Sequence, residues 1–282
     1  MSLFREERWF VESLAKGLDV IATFGATQSA QTVSEVAARA GISRASSRRL
    51  LMTLEALGYL AKDNQKRYVL TPRILGLGTA YLSSHVSGDG VQPILERLRE
   101  FSGRSASLSV LDGTDIVYVA RAGMPGPLRF KIDVGQRLPA YATAMGRVLL
   151  SGLDEAELDV WLASAAFEPL TEVTVRDAKK LREIVLSARA QGYCSVEGEL
   201  APGIRVLAVP VMSRQNEVMA ALNCTTQSWF ERGRDDQKEL LPEMQRAASE
   251  ISGVWNHFHL RTSREVLERA GRANSLARFA VA

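Results

Sequence analysis

Residues 32–60 read TVSEVAARAGISRASSRRLLMTLEALGYL, and residues 62–71 continue KDNQKRYVLT. Thr32 and Glu35 have the spacing of a capping box that starts a helix. Val33, Val36, Ala37 and Ala40 then fall on one face of it. Gly41 ends that helix, and Ser43 can cap the next. The second helix is expected to bury Leu50, Leu54 and Leu57, with Arg44 and Arg48 on the opposite face, one turn apart. Two helices joined by a tight glycine turn, the second rich in arginine, make a helix-turn-helix. Beyond Gly58 the pattern changes to strands. Tyr68 and Leu70 alternate with Arg67 and Val69, and residues 62–67 form the polar tip of a hairpin, a candidate wing. The residues expected at DNA are Thr32, Ser43, Arg44, Ala45, Ser47, Arg48 and Arg49 on the helices, and Lys62, Lys66 and Arg67 on the wing.

Charge follows the motif. From Arg39 to Arg73 there are eight Lys or Arg against two Asp or Glu; the rest of the chain carries 27 against 30, so the +3 total is concentrated at the motif. Phosphate contact calls for such a patch. Winged helices also dock proteins, and that alternative stays open on these residues alone.

The 282 residues suggest two domains. No stretch of 18 apolar residues is present, and MSLFREERWF lacks an apolar signal core, so a cytoplasmic protein with no membrane contact is expected. Cys194 and Cys224 lie far apart with no CxxC spacing and read as buried thiols. His257 and His259 are two apart on an expected helix and point to different faces, so no metal site is expected. GxSxG, GxxxxGK[ST], HExxH and GxGxxG are all absent. No catalytic residue and no cofactor is proposed by the sequence.

Along the chain, Val11, Leu14, Leu18 and Ile21 recur at helical spacing, in a first helix expected to pack behind the helix-turn-helix. The DNA-binding domain is placed at residues 10–72. A linker helix follows at 73–90, where SSHVSGDG is small, polar and glycine-bearing. The second domain is placed at 91–260, with a tail at 261–282 that carries five arginines. It opens with a helix, Val91 to Ser102. Ala106, Leu108 and Val110 alternate with Ser105, Ser107 and Ser109, the pattern of a half-buried strand. Asp112-Gly113 marks a hairpin turn before a partner strand, Ile116 to Arg121. Further strands are expected at Arg129 to Val134, Tyr193 to Glu197, Arg205 to Val211 and Val218 to Thr225. Helices are expected at Met145 to Ser151, Glu155 to Ala163, Ala178 to Gln191 and Asp236 to His259. Mixed elements in this order imply an α+β fold, an antiparallel sheet with helices packed on it.

The chain resembles the IclR family of bacterial transcriptional regulators. The likeness runs through VESLAKGLDVIATF, VSEVAARAGISRASSRRLLMTLEALGYL and RYVLTPRILGLG, then GQRLPAYATAMGRVLL, RAQGYCSVEGELAPGIRVLAVPV and VMAALNCTT. SVLDGTDIVYVAR and YATAMGRVLL resemble the subgroup that controls aromatic-acid catabolism through the β-ketoadipate pathway. The resemblance implies a winged helix-turn-helix followed by a GAF-like effector domain. It also implies a homodimer or homotetramer on palindromic operator DNA, in contact with RNA polymerase or not, and responding to a small organic acid. The family's pocket positions fall on Phe130, Leu138, Ala144, Met145, Val196, Ile204, Val206, Asn223 and Thr225. Val196 and Val206 replace polar residues of members that bind small acids, which implies a less polar pocket suited to an aromatic or longer acid.

Asn223 and Thr225 share one strand face, where they could hold a carboxylate or phenol or simply face solvent. Arg129 is a candidate carboxylate partner, and Arg205 is expected to pair with Glu199. An effector-independent architectural DNA binder, or an enzyme with a fused helix-turn-helix, remain the alternatives.

Overall fold

The structure is a computed structural model that describes residues 8–25, 28–85, 90–124, 132–227 and 236–255, without the side chains of 82–85, 226–227 and 236–237. It divides into two compact units, the first running to Tyr81 and the second beginning at Leu82. That division falls within the segment expected as a linker helix, which is helical: a 3-10 turn at Pro72–Ile74 leads into α4, Leu75–His85.

The first unit contains α1 (Glu12–Ala22), β1 (Ala30–Gln31), α2 (Val33–Ala40), α3 (Arg44–Ala56), β2 (Leu60–Lys62) and β3 (Tyr68–Leu70). Thr32 and Glu35 form the capping box of α2, and Gly41 ends it at φ 63°. That left-handed conformation is cheap for glycine alone, and it sets the turn into α3. Ser43 caps α3 by accepting from the Ser46 amide. The strands pair in the order β1-β3-β2, all antiparallel, so the wing is a three-stranded sheet. Val20, Val36, Ala40, Leu51, Leu54, Leu60 and Tyr68 form its core.

Two sequence expectations need correction here. Leu57 is 52% exposed, while Leu51 is fully buried and Leu50 partly so. The helix ends at Ala56, so Leu57 lies past the last turn that packs. In α1, Val20 is buried, whereas Val11, Leu14 and Leu18 are more than half exposed. The first two turns of α1 therefore present an apolar stripe away from the helix-turn-helix core.

The second unit is built on a six-stranded antiparallel sheet in the order β6-β5-β4-β9-β8-β7. These are β4 (Ser105–Asp112), β5 (Asp115–Ala122), β6 (Arg137–Pro139), β7 (Cys194–Glu197), β8 (Ile204–Met212) and β9 (Val218–Gln227), with the helices α5 (Val91–Ser102), α6 (Ala144–Leu150), α7 (Glu155–Ser164), α8 (Ala178–Gln191), α9 (Asp236–Glu239) and α10 (Leu241–Val254). Helices α5 and α10 pack together and against the central strands. The opposite face carries Cys194, Val196, Ala208 and Ala221, which join one core with residues of α6, α7 and α8. Helix α6 lies close to the short 3-10 turn Ala140–Ala142 that precedes it. A Cβ on Gly146 would come within 2.1 Å of the Ala140 carbonyl oxygen, so only glycine permits that approach.

The sheet is covered on both sides, and the expectation for β4 changes accordingly. Ser105, Ser107 and Ser109 are as buried as Ala106, Leu108 and Val110. The alternation marks two different interiors rather than inside and outside. Of the strand expected from Arg129 to Val134, residues 129–131 lie outside the described residues and 132–134 are not in a strand but lead into a turn at Gly135; β6 follows at Arg137–Pro139. The long terminal helix is divided into α9 and α10, with Pro242 in the first turn of α10, and residues 256–259 lie outside the described residues, as do both histidines placed there and the arginine-rich tail.

Candidate DNA interface and effector site

Helix α3 offers one exposed cationic face. Arg44, Ala45, Arg48 and Arg49 are exposed, and none of the three arginines has an acidic partner among the described residues. Ser47 differs from the expectation. It is fully buried, and its hydroxyl donates to the Val33 carbonyl at 3.0 Å. Its position lies on the packing side of α3, where it ties the two helices of the motif together. Thr32 and Ser43 are exposed, but each uses its hydroxyl to cap a helix.

The wing cations are not equivalent. Lys62 binds Glu55 of α3 at 2.7 Å and lies 4.9 Å above the Tyr68 ring. Arg67 pairs with Asp63 at 2.8 Å, and that carboxylate also accepts from the Gln65 and Arg67 amides. These bonds, the Arg67 amide first, hold the Asp63 pKa below its ordinary value. Lys62 and Arg67 thus shape and anchor the wing. Lys66 stands at the tip with φ 61°, exposed and without a salt bridge among the described residues.

In the second unit, strand register decides which side chains meet. Ser107 faces Arg121 on one side and Asn223 on the other, and Ser105 faces Thr225. Thr225 in turn faces Val206, which faces Val196. These residues share the face covered by α6. Tyr118 joins them, although it is three residues from Arg121 and plain alternation would put the two on opposite faces. The pairing passes from Leu108↔Ala120 to Ser109↔Tyr118, so Val119 is an extra residue, a β-bulge. The bulge shifts the phase by one and brings Arg121 to the Tyr118 side.

The result is a polar patch inside an apolar frame. Arg121 donates to Ser107 Oγ at 3.0 Å and to Ser105 Oγ at 3.3 Å; it forms no salt bridge among the described residues, although the Asp133 carboxylate lies near enough to favour its charged form. Burial lowers the pKa of this half-buried guanidinium, which nonetheless stays charged at any physiological pH. Asn223, 1% exposed, donates through Nδ2 to Thr225 Oγ1 at 3.0 Å, while its Oδ1 has no hydrogen-bond partner among the described residues. Ser109 Oγ is likewise buried without a partner. An unmet buried polar group costs about 1–3 kcal/mol, so the patch stores a demand that a bound polar molecule can meet. Burial raises the Tyr118 hydroxyl pKa to about 12, so it remains a neutral phenol here.

Of the expected pocket positions, Leu138, Ala144, Met145 and Val196 are buried in the α6-side core, and Val206 packs against it. Ile204 is partly buried at the start of β8. Asn223 and Thr225 lie on the inner face, not toward solvent. Phe130 and Arg129 lie outside the described residues. Sequence reasoning missed Arg121, Tyr118 and the three serines of β4. The serine alternation was the available signal, but it was read as a solvent face. The patch is consequently more polar than the apolar substitutions at Val196 and Val206 had implied.

Arg205 also departs from expectation. It pairs with Glu197 directly across the β7–β8 ladder at 2.9 Å. Glu199 instead takes both guanidinium nitrogens of Arg147 at 2.7 and 2.6 Å, in a buried bidentate pair, and accepts from the Val175 amide. Arg147 Nε also donates to the Tyr141 carbonyl. The pair joins α6 to the loop between β7 and β8, the two segments that frame the patch. Removing one member of such a buried pair typically costs about 3–5 kcal/mol.

A winged helix-turn-helix with free arginines on its second helix, followed by a sheet domain with an unsatisfied polar interior, defines a DNA-binding regulator with a sensor domain. Comparison with known proteins gives the family. A model of the bacterial transcriptional regulator IclR C-terminal domain matches residues 79–253, and one of the IclR helix-turn-helix domain matches residues 13–64. The chain belongs to the IclR family of bacterial transcriptional regulators.

It is 40% identical over 218 residues to the Pca regulon regulatory protein of Pseudomonas putida, covering 77% of this chain and 75% of that one. It is 34% identical over 250 residues to the p-hydroxybenzoate hydroxylase transcriptional activator of Acinetobacter baylyi, covering 87% and 92%. Among solved structures, an IclR transcriptional regulator from Alicyclobacillus acidocaldarius superposes with a TM-score of 0.76 at 28% identity, over 87% of this chain and 99% of that one. The inducer-binding domain of an Acinetobacter PobR double mutant, in complex with 3-hydroxybenzoic acid, gives a TM-score of 0.55 at 32% identity, over 58% of this chain and 96% of that one.

Proposed function

We propose that this regulator is controlled by a small aromatic carboxylic acid bound on the inner face of the second unit's sheet. One observation carries the reading: Arg121, half-buried and without a salt bridge among the described residues, stands over Ser105 and Ser107 beside the unsatisfied Asn223. A cation held by hydroxyls in a low-dielectric interior is a ready site for an anion. The surrounding side chains, Leu138, Met145, Val196 and Val206, offer apolar surface for a ring. The relatives support the class: two serve the Pca regulon and p-hydroxybenzoate hydroxylation, and an inducer domain of 32% identity holds 3-hydroxybenzoic acid.

The protein acts by binding, in the cytoplasm, with no turnover of the acid. Its recognition helix α3 enters the major groove of operator DNA, and the exposed stripe of α1 associates with a second copy to present two helices to a palindromic site. The acid changes the output only to the extent that it binds one arrangement of the assembly better than another. The test is a thermal-shift and calorimetric screen of aromatic acids on the full chain, followed by gel shifts on selected DNA with and without each hit. A stabilising acid that also changes DNA binding is expected. No shift with any aromatic acid removes the effector reading.

A further inference from the structure

The outward side of α3 carries a restricted chemistry. Its buried residues, Ser47, Leu51 and Leu54, fix which side faces the core. Ala45, Arg48, Arg49 and Met52 recur at helical spacing on the side turned away from it, and all four are exposed. Met52 is 51% exposed, a large apolar side chain left uncovered one turn beyond two arginines. Along the thirteen residues of the helix there is no Asp, Asn or Gln, and the one carboxylate, Glu55, binds Lys62 at 2.7 Å.

Base edges differ in what they ask of a side chain. In the major groove guanine shows two acceptors, N7 and O6, and thymine shows a methyl group. Adenine N6 and cytosine N4 are donors, which call for a side-chain amide or carboxylate. Arginine only donates. The acceptors near α3 are already used: Glu35 accepts from the Thr32 amide and hydroxyl, and Gln31 is buried with its Oε1 taken by Arg39. Hydroxyls are turned onto the helix itself. Ser43 donates to Ser46 Oγ at 3.0 Å, and Thr53 to the Arg49 carbonyl at 2.9 Å. What this ridge offers a base edge is guanidinium donors and apolar surface.

We propose that α3 reads its DNA site through guanine and thymine alone: Arg48 and Arg49 donate to guanine N7 and O6, and Ala45 and Met52 pack on thymine methyl groups. Adenine and cytosine are then recognised only through the bases they pair with. The proposal rests on the placement of α3 in the major groove and assigns two uncharged residues to sequence reading. Ala45 lies in the first turn, the end of such a helix that meets base edges. Its short side chain lets the backbone come close enough for a methyl to touch a methyl, and leaves the arginines beside it their reach.

The test uses a duplex selected by the full chain from random sequence, resynthesised with one altered base at a time and measured by fluorescence anisotropy. 7-Deazaguanine removes the N7 acceptor, uracil removes the thymine methyl, and purine removes the adenine N6 donor; the protein is the same in every arm. At least one guanine in each half-site should cost roughly five- to tenfold when altered. At least one thymine should cost about fourfold, and every adenine less than about twofold. Ala45→Gly should make one costly uracil position silent and leave the guanine losses in place, and Met52→Ala carries the same comparison if Ala45→Gly fails to fold. An adenine whose purine replacement costs as much as a guanine alteration would overturn the reading without acceptors. Uracil silent at every thymine, a selected site with no thymine, or uracil losses unchanged in both variants would overturn the methyl contacts. Silence of all three alterations would overturn the placement of α3 in the major groove itself.

Discussion

On α3, four-residue spacing puts Arg44 and Arg48 on one exposed side, while the neighbouring Ser47 is turned inward to the Val33 carbonyl. One residue of rotation separates a DNA contact from a packing contact. Arg48→Ala is therefore expected to weaken binding to a duplex selected by the protein from random sequence by about 1–3 kcal/mol, if the guanidinium reads a guanine edge. Binding to unselected DNA should change much less. An equal loss on both duplexes, with a shallower salt dependence, would reassign Arg48 to a phosphate. Unchanged affinity on the selected duplex would remove this face from the interface.

The wing shows that a cationic element is not a set of interchangeable charges. Lys62 and Arg67 are held by Glu55 and Asp63, and Lys66 at the tip has no salt bridge among the described residues. Lys66→Ala should lower affinity for selected and random DNA alike and reduce the salt slope by about 1. Lys62→Ala should leave that slope closer to the parent's, since its charge is already matched by Glu55. Fluorescence anisotropy at several salt concentrations separates the two, and equal slope changes would show that the Lys62–Glu55 bond opens on DNA. The elements themselves were largely legible, because caps and apolar periodicity are local signals: the capping box of α2, Gly41, and α5 from Val91 to Ser102 all lie where the sequence puts them. Which polar residues face inward was not legible. Ser105, Ser107 and Ser109 look the same in sequence whether they meet water or a buried guanidinium, and only the pairing with β5 and β9 decides. Arg147 and Glu199 are 52 residues apart, so no local pattern announces their bond. The pairing expected for Arg205 went instead to the nearer Glu197 across the ladder.

At the scale of the molecule, the apolar stripe of α1 is the feature with no task inside its own unit. Val11, Leu14 and Leu18 are 57%, 62% and 55% exposed and lie on one helical side. Contiguous exposed apolar surface of this kind marks association. Leu14→Glu combined with Leu18→Glu should shift the protein toward monomer in sedimentation equilibrium. It should also cost affinity for a palindromic duplex far more than for a single half-site. The acid affinity of the second unit should be unaffected, because the patch lies wholly within Leu82–Gly271. A double variant that sediments like the parent would place self-association elsewhere.

The extra residue in β5 has a consequence for how this protein tolerates lost codons. Deleting one residue from a regular strand turns every side chain beyond it to the opposite face. Deleting Val119 does the reverse. Ala120 would still face Leu108 and Tyr118 would still face Ser109, now in plain alternation, with Arg121 keeping its place opposite Ser107. In-frame loss of Val119 should therefore yield a folded protein that binds acid, whereas loss of Val209 from the evenly paired stretch of β8 should not. Thermal melting of the two deletions side by side makes the comparison. Equal collapse would show that the bulge serves the bend of the strand more than the phase of its side chains. Natural length variation in this sheet should then be sought first at position 119.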